Sequence, residues 1–185
     1  MSLNKEQQQR LLDLAKSSIA HGLQTGQPLK VNLADFPAEL TVHRATFVTL
    51  HKHQQLRGCI GVLEAIRPLA EDIAENAFSA AFRDPRFPPL ANDEFDELEI
   101  HLSVLTPAEP VLFTSEQELI AKLQPGIDGL ILQEGHRRGT FLPSVWEQLP
   151  EPAQFLRHLK QKAGLTPDYW SENIRIYRYR TEIVG

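Results

Sequence analysis

Cys59 is the sole cysteine of the chain and stands in the hexapeptide LRGCIG, with Arg57 two residues before it. On a β-strand, residues two apart share a face, so Arg57 and Cys59 are expected to project together. A guanidinium beside a thiol favours the thiolate, which is the nucleophilic form of cysteine. Gly58 and Gly61 remove side chains on either side and let backbone or ligand come close. Cys59 and Arg57 are therefore the candidate catalytic residues. The same residues also fit a plainer role, a small buried thiol beside glycines that admit a packed helix.

His51 and His53 lie two apart on an adjoining predicted strand, and His101 lies on another, a set that could meet at one metal ion. The competing reading puts the first two at a hairpin end facing water. With no HExxH motif, no metal set is assigned, and His51 and His101 are kept as binding candidates. The connection DPRFPPL (84–90) is stiffened by three prolines, and it would hold Arg86 for a carboxylate or phosphate group. Asp84 is suited to capping that turn, with Arg86 in a surface ion pair as the structural alternative. Arginines also gather in GHRRG (135–139) and RIYRYR (175–180), where charge and aromatic rings alternate as in single-strand nucleic-acid binders. A dinucleotide fingerprint, a phosphate-binding P-loop and a GxSxG elbow are absent from the sequence, and no cofactor is required by it.

The elements that must position these residues follow from periodicity and punctuation. Asn4 and Gln7 make a capping-box pair ahead of a helix to about His21, with Leu11, Leu14, Ala15 and Ile19 inward and Gly22 as its stop. Residues 44–53 alternate as a strand, and LRGCIGVL forms its hairpin partner after a short polar turn at Gln54–Gln55. Pro68 opens a second helix that ends near Arg83, ahead of the prolines. ELEIHLSVL alternates as a further strand. Ser115 and Glu118 form a second capping box, and residues 129–142 make a hairpin with its tip at Gly135–Gly139. A last helix spans Pro152 to Ala163 and stops at Gly164, and residues 173–184 read as one closing strand. Helices and hairpins interleave without βαβ alternation. The expected class is α+β, a mainly antiparallel sheet with flanking helices.

Composition narrows the function classes. A chain of 185 residues, 42% hydrophobic and 23% charged, is long enough to bury a core without staples. Its net charge of −5 argues against nucleic acid, which selects for basic surfaces. One cysteine excludes an internal disulfide and any CxxC site. No apolar run approaches a membrane span, and the N-terminal residues do not read as a signal peptide, so the cytoplasm is the expected compartment.

FVTLHKHQQLRGCIG, followed in order by AAFRDPRFPPL, IHLSVL, DGLIL, FLPSVW and FLRHLKQKAGL, resembles the AMMECR-domain family. Its bacterial and archaeal members are called AmmeMemoRadiSam system protein A. The likeness runs from about Asn4 to the C-terminus and implies a single domain over 4–185, with two unequal lobes forming a cleft near RGCIG. It also implies a Memo-type protein and a radical S-adenosylmethionine protein as partners. The family brings no assigned reaction. Its motif cysteine and arginine fall on Cys59 and Arg57, and its DPRF aspartate and arginine on Asp84 and Arg86. Many relatives carry glycine in the hairpin turn, where this chain has His53-Gln54-Gln55. Two functions are thus expected in competition: a small-molecule enzyme or modification factor using Cys59, and a non-catalytic binding protein for the Memo-type partner.

Overall fold

Asn4 opens the first helix with both halves of the expected box. Its side chain accepts from Gln7 N at 2.9 Å, and Gln7 Oε1 accepts from Asn4 N at 3.0 Å. The computed structural model, which describes residues 2–185, has four α-helices: α1 (Lys5–Thr25), α2 (Leu69–Phe82), α3 (Glu116–Lys122) and α4 (Pro152–Lys162). Its strands are β1 (Thr46–Lys52), β2 (Gln55–Gly61), β3 (Leu98–Leu105), β4 (Glu109–Pro110), β5 (Gly129–Glu134), β6 (Arg137–Phe141), β7 (Arg175–Tyr179) and β8 (Thr181–Val184). They form two four-stranded antiparallel sheets, ordered β2-β1-β3-β8 and β4-β7-β5-β6. The class is α+β, as the sequence predicts, with the strands divided between two sheets. No helix among the described residues is long and apolar enough to cross a membrane.

Residues 2–105 with 182–185 form one compact unit, and residues 106–181 form a second. In the first, α1 and α2 cover one face of the β2-β1-β3-β8 sheet. The strand residues Val48, Leu50, Leu102 and Val104 meet Leu11, Ala15, Ile19, Ile73 and Ala77 in a single buried cluster. α1 does not stop at Gly22 but continues to Gly26, whose φ of 70° is the left-handed cap. Gly22 instead lets α2 approach: a Cβ there would fall 2.5 Å from the Phe82 ring. A fully buried aspartate, Asp72, is satisfied by Thr46 at 2.6 Å, Asn76 at 3.0 Å and Arg67 at 2.9 Å, which ties α2 to β1.

The second unit packs Leu130, Leu132 and Ile176 of its sheet against Phe155, Leu156 and Leu159 of α4. Trp146 stacks on Phe155 at 3.7 Å and donates its indole N–H to Asp128 O. Three local expectations change here. Glu118 does not complete the second capping box; its carboxylate binds Thr114 while Ser115 Oγ accepts from Glu118 N. The hairpin tip is Gly135–His136, and Gly139 lies inside β6, where a Cβ would meet Ala163 N at 2.7 Å. The closing segment is two strands rather than one: β7 pairs with β5, and β8 belongs to the first sheet, with the break at Arg180.

Candidate functional site

The β1–β2 hairpin carries Cys59, and its turn falls one residue earlier than expected. Lys52 pairs with Gln55, so the turn is His53-Gln54, and both residues have positive φ, 50° and 64°. That is the type I′ geometry whose twist suits a two-residue hairpin, here built without glycine. His53 Nε2 lies 2.5 Å from Glu97, at the far end from the thiol. The three-histidine arrangement therefore does not form, and no group of His, Cys, Asp or Glu among the described residues gathers closely enough to hold a metal ion.

A β-bulge decides which side chains share the site. Thr49 pairs with Cys59 and Leu50 with Gly58, but His51 pairs with Leu56, so Arg57 has no partner across the ladder. Strict alternation, which would place Arg57 beside Cys59, is broken there. Arg57 is buried, and its guanidinium holds Glu94 through Nε at 2.9 Å and Nη2 at 3.0 Å, with a further bond to Pro88 O at 2.8 Å. Glu94 in turn is held down to about 2, chiefly by that Arg57 bond. Arg57 thereby fastens β2 to the DPRFPPL connection and to the turn before β3.

The two glycines are packing positions. A Cβ on Gly58 would lie 2.1 Å from Ala80 O, on the inner face against α2, and one on Gly61 would lie 2.4 Å from Thr46 O. Asp84 and Arg86 finish the free edge of β2. Asp84 accepts the Cys59 N–H at 2.9 Å, and Arg86 donates to Cys59 O at 3.4 Å, as a neighbouring strand would do. Arg86 also grips Asp84 at 2.7 and 3.0 Å, which holds the Asp84 carboxyl well below the usual carboxylate range; the backbone N–H groups of Cys59 and Arg86 act in the same sense. The Arg86 side chain is 55% exposed, so part of its guanidinium still faces outward.

What remains on the outer face of the sheet is a row across three strands. Cys59 on β2, Thr49 on β1 and His101 on β3 are direct ladder partners. The Cys59 thiol is half-buried and lies 3.2 Å from Thr49 Oγ1. His51, two residues along β1 from Thr49, packs edge-on to His101 with ring centroids 5.3 Å apart. Its Nδ1 is buried with no hydrogen-bond partner among the described residues. The thiol touches the Thr49 hydroxyl, the two imidazoles touch each other, and the ladder sets His101 beside Thr49. Sequence reasoning placed Cys59, His51 and His101 but not Thr49 as the link, although Thr49 alternates with His51. It also missed Glu94, which no local pattern connects to Arg57.

The arginines of RIYRYR are tied down within their own unit. Arg178 lies 3.8 Å from the buried Asp128, Arg175 donates to Glu172 O, and Arg180 to Gln124. Tyr179 is buried, so it offers no stacking face to a base.

The AMMECR1 family model matches residues 12–184. The chain belongs to the AMMECR1 family. A protein of Thermotoga maritima is 44% identical over 149 residues, covering 79% of this chain and 80% of its own. One of Methanothermobacter thermautotrophicus is 37% identical over 183 residues, covering 98% and 95%. The crystal structure of an uncharacterized protein from Pyrococcus horikoshii matches with a TM-score of 0.86 at 36% identity, over 98% of this chain and 92% of that one. The names of these AMMECR1 relatives assign no reaction, so function rests on the site itself.

Proposed function

We propose that this AMMECR1-family protein is a small-molecule enzyme or modification factor whose nucleophile is Cys59. The observation that carries the reading is the Cys59–Thr49–His101 row with its 3.2 Å thiol–hydroxyl contact. The thiol adds to an electrophilic carbonyl carbon of the substrate: the C–S bond forms as the C=O π bond opens and its electron pair moves to the oxygen, while the thiol proton passes to Thr49 Oγ1 and the Thr49 proton to the His101 imidazole. Arg86, partly exposed beside Cys59 O, orients an anionic group of the substrate. Arg57 acts one step back, as the residue that positions β2. The protein works in the cytoplasm, where a lone thiol stays reduced, alongside the Memo-type and radical S-adenosylmethionine partners of its family.

Iodoacetamide alkylation of the folded protein against pH tests this. Wild type is expected to react while folded, and more slowly in Thr49→Val and in His101→Gln. A thiol that reacts only on unfolding overturns the reading. The competing one, a non-catalytic binding protein for the Memo-type partner, draws on the fact that Arg57, Gly58, Gly61 and Asp84 all have roles within the fold. Capture of that partner from the native host, unchanged by Cys59→Ala and with an inert thiol, would favour it.

A further inference from the structure

We propose that the substrate of Cys59 is a 2-oxo acid with a flat apolar body: carboxylate at Arg86, keto carbon at the thiol, body on the Phe47 ring. This deepens, and rests on, the reading of Cys59 as the nucleophile. Arg86 sets the anionic end. Its guanidinium is fastened to the buried Asp84 through Nε at 3.0 Å and Nη2 at 2.7 Å, and Nη2 also donates to Cys59 O at 3.4 Å. Nη1 is in none of these bonds and the side chain is 55% exposed, so N–H donors stay open to an anion in a fixed direction. The main-chain oxygen that Arg86 holds belongs to the nucleophile's own residue, roughly 3–5 Å from its sulfur by covalent geometry. An anionic group on Arg86 must therefore sit within a bond or two of the carbon under attack. A carboxylate attached directly to a carbonyl carbon meets that requirement.

The third anchor stands on the same face of the sheet. Phe47 pairs with Gly61 as Thr49 pairs with Cys59, which sets the two pairs about 7 Å apart along the strands. Because Gly61 has no side chain, the Phe47 ring lies across β2: a Cβ there would be 2.3 Å from Phe47 Cγ and 2.5 Å from Cδ1. The ring is half-buried and belongs to neither hydrophobic cluster, so it is not spent on the core and can stack a flat group. Arg86 and Phe47 thus flank the thiol, one at the edge of β2 and one along the strand. The order of charge, reacting carbon and flat body is that of an arylpyruvate. Addition balances within the site: the C–S bond forms at the keto carbon and the C=O π pair moves to the keto oxygen. That oxygen takes up one proton as His101 releases, through water, the one it received from sulfur by way of Thr49. The product is a thiohemiketal, and the step is reversible.

Amide chemical shifts of the intact protein, titrated with phenylpyruvate, pyruvate, phenylacetone and 3-phenylpropanoate, test the proposal. The last three each lack one element, in turn the ring, the carboxylate and the keto group. Phenylpyruvate is expected to shift Phe47, Cys59 and Gly61 and to slow iodoacetamide alkylation of Cys59, and the other three to bind more weakly. Phe47→Leu should weaken phenylpyruvate by about threefold to tenfold and leave pyruvate unchanged. Arg86→Gln should weaken phenylpyruvate by about tenfold to hundredfold and leave phenylacetone unchanged. Suppose iodoacetamide alkylates Cys59 in the folded protein while phenylpyruvate gives no protection, or binds no more tightly than any of the three partial probes. Either result overturns the substrate assignment and leaves Cys59 as the nucleophile. A thiol inert to iodoacetamide until unfolding overturns both.

Discussion

Gly58→Ala separates the packing role of the signature motif from a ligand-access role. The substitution adds one methyl group, and its carbon would lie 2.1 Å from Ala80 O and 3.0 Å from Ala80 C. Both are main-chain atoms of α2, so no side-chain rotation relieves the contact; helix and strand must part by roughly 1 Å, against a close-packed interior. Overfilling a packed site typically costs about 1–3 kcal/mol, and a clash with rigid backbone belongs at or above the top of that range. At about 3 kcal/mol and roughly 2–4 °C per kcal/mol for a chain of this size, the melting temperature should fall by about 6–12 °C. Ala80→Gly should not rescue it, because the offending atom is the carbonyl oxygen. Thermal unfolding by circular dichroism reads the effect, with Gly26→Ala as comparison; Gly26 has open space around it, so only its left-handed backbone is strained, a cost of about 1 kcal/mol. A Gly58→Ala protein that melts within about 2 °C of wild type, less than 1 kcal/mol can explain, would refute the packing account. Gly58 would then have to be read as an opening for a ligand beside Cys59.

Two further predictions concern stability. Glu94 is held at about 2, below its ordinary 4.5, by Arg57, so the stability it contributes is present above pH 4.5 and is lost as pH falls through 4.5 toward 2. Asp84, depressed by Arg86, extends that loss to lower pH. Acid unfolding followed by tryptophan fluorescence should therefore begin at higher pH in Arg57→Met, and an unmoved acid limb would remove Arg57 as the cause. Gln54→Gly should relieve the left-handed backbone at φ 64° and stabilise the hairpin by about 1 kcal/mol, read as a raised urea midpoint. A lowered midpoint would mean that the turn residues contribute contacts that outweigh their strain.

Local chemistry made much of this protein legible in its sequence. The Asn4–Gln7 box, Pro68 ahead of α2 and Gly164 after α4 act within a few residues of themselves, and all three stand in the structure as read. Alternation likewise accounts for Val48 and Leu50 both being buried, because side chains along a strand take opposite faces. The positions that went otherwise depend on neighbours distant in the chain. Gly22 looks like a helix stop until Phe78 and Phe82 of α2 press against it. The closing segment alternates throughout, yet it changes sheets at Arg180 because its two halves find different partners.

LRGCIG shows the same division. Its sequence alone marked Cys59 as the one thiol, and the surrounding residues marked His51 and His101 as binding candidates on neighbouring strands and the family to which the chain belongs. Tertiary structure decided that Arg57 sits at a bulge and turns to Glu94, that Gly58 faces the Ala80 carbonyl, and that Asp84 and Arg86 close the strand edge. A bulge shifts side-chain direction through the pairing of two strands, and pairing is a property of neither strand by itself. Thr49 stands between thiol and imidazole for that reason: the ladder, not the spacing along the chain, sets Cys59, Thr49 and His101 side by side.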